Sequence, residues 1–207
     1  DPASKSRLPL SREQLAADLL ALLDAVELTL VNVAGHDWGG MVALKMALDH
    51  PERIDKLALI DCSTTHWPHW AAHGLWAKVP GWAETYFDRC HDTFIRWCLA
   101  GEAAHYPEGV ISPFPAQAMP DLDWCEQEAL AHYQDNMAQT ATQAASVSLY
   151  RDALPFYRQQ PEGHWHKMTA DDCRGIWEHP GGPFRHPEYR SAICFAPEDL
   201  DKKVTQP

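Results

Sequence analysis

The sequence feature that most constrains the fold is the stretch TLVNVAGHDWGG at residues 29–40. A run of β-forming residues ends in a glycine, and Asp37 then stands between Gly35 and Gly39. A sharp turn from a strand into a helix needs small residues on both sides of its central residue, which adopts a strained backbone. The spacing therefore predicts a nucleophile elbow with Asp37 at its tip, and Gly40 should let the following helix pack closely on the sheet. The alternative is an ordinary turn in which Asp37 caps a helix.

Helical and strand patterns alternate on both sides of this turn. Ser11 is a plausible N-cap, because a serine hydroxyl can accept a hydrogen bond from the first turn of a helix. Such alternation is typical of a mostly parallel sheet, so we predict an α/β fold. The predicted elements are a helix over 11–26 with an apolar stripe of Leu15, Leu19, Leu22 and Leu23, a strand over 29–34, a helix over 41–50 and a strand over 55–61.

The pattern changes after the second strand. Helical patterns dominate the middle of the chain, at 82–100, 124–137 and 139–158, and no strand is evident there. We therefore divide the chain into a core segment, an inserted helical cap and a diverged tail. The tail is polar and rich in Pro and Gly, with only SAICF typical of a further strand. The predicted domains are 1–65, 66–160 and 161–207, and the predicted strand of the tail covers 191–195.

Composition excludes several classes of partner. The formal net charge of −12 argues against binding to nucleic acid or to anionic membrane surfaces. No apolar run approaches the roughly 20 residues that a bilayer-spanning helix needs, so we expect no membrane insertion. The N-terminus has no signal-peptide pattern, and the six cysteines lack paired spacing. We therefore expect reduced cysteines and a cytoplasmic or organelle-matrix location.

Three motifs carry a resemblance to a known family. GHDWGG, the following MALDHPERI and the strand KLALID resemble the α/β-hydrolase epoxide hydrolases and haloacetate dehalogenases. The resemblance is strongest over residues 11–65. It continues more loosely to residue 158, where EALAHYQDNM and ALPFYRQQ are similar to cap segments. It implies a partial α/β-hydrolase fold, a mostly parallel sheet with an inserted helical cap, and no cofactor.

The resemblance also implies a chemistry and a set of site residues. Asp37 would attack carbon in a small apolar epoxide or halogenated substrate and form an alkyl-enzyme ester. The N–H of Trp38 would be an oxyanion donor, and its indole would line the pocket. Tyr157 would be a cap tyrosine that holds the epoxide oxygen, and Tyr86 a weaker second candidate for substrate binding. Haloacetate dehalogenases more usually have Arg in place of Trp38, which favours an epoxide, and His36 is expected to be structural.

Other parts of the family's pattern have no match. The sequence shows neither an HG-x-P loop, nor the family's later acid motif, nor its GH-type base. Spacing selects no substitute from the tail, and GHWHKM lacks a fitting third ligand, so no metal site is predicted. The histidines of the segment before Trp76 could share a helix face, but Pro68 favours a cap hinge. The candidate bases are His164, His166, His179 and His186, the candidate acids are Asp171, Asp172, Asp199 and Asp201, and the hinge histidines are His66, His69 and His73.

Three interpretations follow from this mixture of intact and missing parts. The chain is a piece of a longer hydrolase, or another protein chain completes its sheet, or it is a non-catalytic structural or accessory subunit of a larger assembly. Without further strands, residues 29–34 would form an exposed apolar edge. A serine-type esterase is disfavoured, because Asp37 occupies the tip of the elbow.

Overall fold

The computed structural model describes residues 10–62, 72–118, 125–202 and 204. Within this part the chain forms two compact units. The first unit contains the predicted elbow, and the second is mainly helical. In described residues, the first unit comprises 10–62, 151–168, 184–202 and 204, and the second comprises 72–118, 125–150 and 169–183.

The first unit contains the predicted alternation of helix and strand. The hydroxyl of Ser11 accepts a hydrogen bond from Gln14 N at 3.2 Å and so caps the first helix. The first two strands pair in parallel, with His36 opposite Ile60. The elements of this unit are α1 (Arg12–Ala25), β1 (Val31–His36), α2 (Trp38–Asp49), β2 (Ile54–Ile60), β3 (Tyr157–Gln159), β4 (Trp165–Lys167) and α8 (Pro187–Ser191).

The core of this unit joins α1, α2 and the first two strands. Arg12, Ala16 and Leu20 form the buried face of α1. The prediction of a single leucine stripe was wrong, because Leu19 and Leu22 are 42% and 57% exposed. The buried residues of α1 follow one another at intervals of four, so Leu19 and Leu22 lie outside the row that packs against α2. The buried core residues are Ala16, Leu20, Val42, Met46, Ala47 and Ile54.

Glycines decide how closely α2 approaches the strands. A Cβ on Gly35 would lie 2.4 Å from the carbonyl oxygen of Gly39, and a Cβ on Gly40 would lie 2.6 Å from the Sγ of Cys62. The atom that Gly35 meets belongs to the backbone, so no side-chain movement would relieve that clash. Within the described residues, nothing lies within 4 Å of a Cβ built on Gly39. Gly35 and Gly40 are therefore the glycines that packing requires, and Gly39 is not.

Among the described residues, both outer edges of the two-stranded sheet are unpaired. In the part of the chain that the structure describes, β1 has only β2 as a neighbour. Leu28 and Leu30, which lead into β1, are 49% and 52% exposed, and Ile60 at the end of β2 is 55% exposed. An open strand edge beside exposed apolar side chains favours pairing with further polypeptide.

The C-terminal segment is held to the helices by buried charges. Lys45 of α2 donates to a carboxylate oxygen of Asp199 at 2.8 Å and lies 3.2 Å from Asp49. Lys202 pairs with both of these carboxylates. Arg12 donates to the carbonyl of Cys194 and lies over the ring of Phe195 at 3.7 Å. Buried charges cost free energy unless they are paired, and this network pairs Lys45 and Asp199.

Two predictions for the later part of the chain were wrong. The helix predicted over 139–158 stops at Ser148 and continues as a single π-helical turn, Leu149–Ala153. Pro155 then disfavours helix at the residue before it, and β3 follows. In place of the strand predicted over 191–195, the structure has a single β-bridge between Ile193 and Tyr157, and Ser191 is the last residue of α8. β3 and its antiparallel partner β4 were not predicted.

The second unit is a helical assembly. The predicted helix over 82–100 is present, with a kink at Cys90. The helix predicted from Trp124 begins at Gln127, and Trp124 itself lies outside the described residues, as do His66 and His69. None of the described helices is both long and apolar enough to cross a bilayer. The helices of this unit are α3 (His73–Lys78), α4 (Trp82–Ala100), α5 (Gln127–Met137), α6 (Thr140–Ser148) and α7 (Ala170–Trp177).

Aromatic side chains form the interior of the second unit. Tyr86 is fully buried and makes an edge-on contact with Trp76, with ring centroids 5.4 Å apart. A cavity of about 50 Å³ lies in the same aromatic region, and it is almost wholly apolar. His73 lies at this cavity, and burial lowers its pKa to about 4. The cavity is lined by His73, Trp76, Ala77, Ala83, Phe87, Phe94, Phe114, Val147 and Tyr150.

The glycine contacts predict a difference between two otherwise similar substitutions. Gly35→Ala should lower the free energy of unfolding by about 2–3 kcal/mol, because its methyl group would overlap the backbone of Gly39. Gly39→Ala is the matched control and should be neutral or slightly stabilising, since alanine favours the helix. Urea denaturation followed by circular dichroism measures both. Equal effects of the two substitutions would contradict this account of the turn.

The pKa of His73 predicts a loss of stability in mild acid. The unfolded chain takes up a proton near the ordinary histidine pKa of about 6.5, whereas the folded chain does so only near pH 4. The contribution of neutral His73 is therefore complete above pH 6.5 and is lost as the pH falls towards 4. His73→Gln should flatten the dependence of the urea midpoint on pH between 6.5 and 4. The exposed His132→Gln is the control and should leave that dependence unchanged.

Candidate functional site

The predicted elbow is present as a strained turn between β1 and α2. Asp37 has φ of 48° and ψ of −118°, a conformation that costs a non-glycine residue free energy. Two hydrogen bonds hold the turn, since Asp37 N–H donates to the carbonyl of Ile60 and Met41 N–H donates to the carbonyl of Asp37, both at 3.2 Å. The side chain makes no capping hydrogen bond with α2. The geometry therefore favours a nucleophile elbow over the alternative of a capping aspartate.

The surroundings of Asp37 oppose its ionisation. Burial of the carboxyl raises its pKa above the ordinary value, the imidazole of His36 lowers it, and the carboxylate of Asp61 raises it further. The partial positive charge at the start of α2 would favour the ionised carboxylate, but the direction of the pKa shift is the opposite. The reason is that desolvation outweighs the favourable charge at the helix terminus. A carboxylate with a raised pKa is more basic and hence a better nucleophile once it is ionised.

The other predicted site residues lie in three different places. Trp38 is the first residue of α2, where backbone N–H groups point out of the helix end. Trp38 is half-buried. Tyr86 lies in the aromatic interior of the second unit, where burial raises the pKa of its hydroxyl. Tyr157 is on β3 in the first unit, and burial and the nearby Glu198 raise its pKa.

Four of the eight candidate bases and acids of the tail have local structural roles. His179 accepts a hydrogen bond from the backbone N–H of Gly181, and His186 accepts one from that of Glu188, each at 3.2 Å. Asp172 accepts from the N–H of Thr169 and so caps α7. Asp199 is paired with Lys45, as described above. The remaining candidates, which are His164, His166, Asp171 and Asp201, stay predictions.

Asp61 is a residue of this site that sequence reasoning missed. It follows β2 directly, as Asp37 follows β1, and the two strands are in register with His36 opposite Ile60. The signal was present in the strand KLALI and the Asp that follows it, but we interpreted this aspartate only as the end of a strand. The thiol of Cys62 lies here too, and its pKa is raised by burial and by both carboxylates. Within the described residues no cluster of three or more His, Cys, Asp or Glu is placed to hold a metal ion.

Sequence comparison gives the context of the elbow. The family described as the alpha/beta hydrolase fold matches residues 4–95. A protein named carbamate hydrolase RutD from Caulobacter segnis is 38% identical over 61 residues, which are 30% of this chain and 23% of that protein. A protein of the same name from Pseudomonas syringae is 29% identical over 130 residues, 60% of this chain and 44% of that protein. The chain therefore spans less than half the length of these curated relatives.

Structural comparison gives the same fold. Epoxide hydrolase A from Mycobacterium thermoresistibile is 25% identical with a TM-score of 0.52, and the match covers 69% of this chain and 51% of that protein. The matched region of that structure is thus about half of its length. Together with the turn between β1 and α2, these matches show that the chain carries part of the α/β-hydrolase fold.

Proposed function

We propose that this chain provides the nucleophile of a hydrolase that opens a small apolar epoxide through an ester on Asp37. The observation that carries the proposal is a carboxylate at the tip of a strained strand-to-helix turn. A carboxylate needs no separate base to become a nucleophile, since it is ionised near neutral pH in ordinary surroundings. Its natural target is a saturated carbon with a leaving group, such as an epoxide carbon or a carbon that bears a halogen.

The roles of the neighbouring residues follow from this chemistry. The N–H of Trp38 would stabilise the oxyanion that forms when water attacks the ester. The likeness to an epoxide hydrolase favours the epoxide over the carbon–halogen bond. Tyr157 and Tyr86 were expected to hold the substrate. Burial and nearby carboxylates raise the pKa of the Tyr157 hydroxyl. The ring of Tyr86 is enclosed by other aromatic rings.

Two other functions deserve a test. Carbamate hydrolysis is favoured by the RutD matches, although attack by Asp37 on a carbamoyl carbon would give a reactive anhydride instead of an ester. A non-catalytic role in a larger assembly is favoured by the edge of β1 that no described residue pairs with and by the exposed Leu28 and Leu30. In that role another protein chain would pair with β1.

The first prediction from this proposal concerns a covalent adduct. Incubation with styrene oxide should increase the intact mass of the protein by the mass of one epoxide, and peptide mapping should place the adduct on Asp37. Asp37→Asn should abolish the adduct, because the amide is not nucleophilic, while asparagine tolerates the positive φ. The exposed Asp24→Asn is the matched control and should form the adduct as the unchanged chain does. Chloroacetate and ethyl carbamate should be tested in parallel.

Each outcome of this experiment selects one function. An adduct on Asp37 supports the proposal. Product formation from chloroacetate would show that the bond cleaved is a carbon–halogen bond and not that of an epoxide. Product from ethyl carbamate without an epoxide adduct would support the carbamate alternative. Labelling of Asp37→Asn to the same extent would show that the epoxide reacts with surface carboxylates. Neither adduct nor product from any of the three compounds would overturn the enzymatic role and favour the non-catalytic one.

A further inference from the structure

The cavity in the second unit is built from residues of that unit alone. Its walls come from α3, α4, α6, the loop that carries Phe114 and the turn that carries Tyr150, so every lining residue lies between His73 and Tyr150. The volume of about 50 Å³ is several times the roughly 10–15 Å³ that one water molecule requires. The space is therefore large enough for a small molecule.

Aromatic rings form most of the cavity wall. The rings of Phe87 and Phe94 meet edge to face with centroids 5.6 Å apart, and the ring centroids of Phe94 and Phe114 are 5.3 Å apart. The indole N–H of Trp76 donates to the carbonyl of Ile111 at 2.7 Å, so this polar group is already bonded. The wall thus presents apolar, polarizable surface.

The imidazole at the cavity is uncharged at neutral pH. Burial lowers the pKa of His73 to about 4. The ring of His73 stacks on Phe114 with centroids 6.0 Å apart and meets Tyr150 edge-on at 5.4 Å. A buried water molecule needs about two to four polar partners, whereas the surface of this cavity is almost wholly apolar. The lining therefore disfavours water and ions and favours an apolar occupant.

Two helices depart from regular geometry where they border this cavity. α4 is kinked at Cys90, between the lining residues Phe87 and Phe94. α6 is followed by the π-helical turn Leu149–Ala153, in which Tyr150 lies. Turns of this kind are rare and are found frequently at functional sites. An unfilled apolar space also lowers stability, because its lining atoms lose van der Waals contacts, and a bound molecule would restore them.

We propose that this cavity binds one small apolar molecule without hydrogen-bonding groups, such as a short hydrocarbon of about the size of a xenon atom. Apolar cavities in proteins stay dry and take up molecules such as benzene or xenon. Binding is noncovalent and comes from dispersion contacts with the rings. Because Asp37 is in the first unit and every lining residue is in the second, the inference does not depend on the function proposed above.

Xenon is the first probe, and ¹²⁹Xe NMR with the full chain measures its binding. The xenon chemical shift should show one saturable site, and cyclopropane should displace the xenon. Ala77→Met should abolish saturable binding, because the longer side chain would occupy the cavity that Ala77 lines. The exposed Ala131→Met, in α5, is the matched control and should bind xenon as the unchanged chain does. Circular dichroism checks that both variants are folded.

Stability gives a second measurement, which can be made on the unchanged chain alone. Cyclopropane should raise its urea midpoint, because a molecule that binds only the folded chain stabilises it, and should leave that of Ala77→Met unaffected. A xenon shift without saturation, or xenon that cyclopropane does not displace, would overturn the inference, since either result indicates non-specific contact with the surface. Equal saturable binding in folded Ala77→Met would also overturn it. If Ala77→Met does not fold, displacement of xenon and the urea midpoint of the unchanged chain decide the question.

Discussion

The close approach of α2 to the end of β1 is the constraint on which the rest of the first unit depends. Gly35 lies against the backbone of Gly39, and Gly40 lies against Cys62, so both positions exclude a side chain. This contact forces the chain to reverse within one residue, and Asp37 takes the strain with φ of 48°. The carboxylate at this turn makes no capping hydrogen bond with the helix. The backbone strain is therefore located in the residue that we propose as the nucleophile.

The strain is supported by contacts elsewhere in the unit. Apolar side chains of α1, α2 and β2 pack into one cluster, which holds α2 in place behind the turn. Lys45, two turns into α2, is fixed by its buried ion pair with Asp199, and Arg12 ties α1 to the segment at Cys194. The C-terminal segment thus contacts the helices that carry the elbow. Breaking a buried ion pair at one partner costs several kcal/mol, about 3–5, so this segment contributes to the stability of the turn.

The sequence was informative where local chemistry decides structure. The elbow, the two parallel strands and the helix after Ser11 follow from turn glycines, apolar runs and a capping hydroxyl, all of which act within a few residues. The burial of α1 could not be predicted in the same way, because leucines occur around much of that helix, and only its contact with α2 decides that Leu20 is buried and Leu22 is not. The short strand at Tyr157 depends on pairing with Trp165–Lys167 and with Ile193, which are distant in sequence from one another. Asp61 was missed for a related reason, since its importance comes from the register of β2 against β1.

The raised pKa of Asp37 bears on the first step of the proposed reaction, the formation of the ester. Desolvation and the carboxylate of Asp61 make Asp37 harder to ionise, and the ionised fraction falls when the pH approaches the raised value. Once the ester forms, Asp37 becomes neutral, and the repulsion between the two carboxylates disappears. Formation of the ester is therefore favoured by the presence of Asp61.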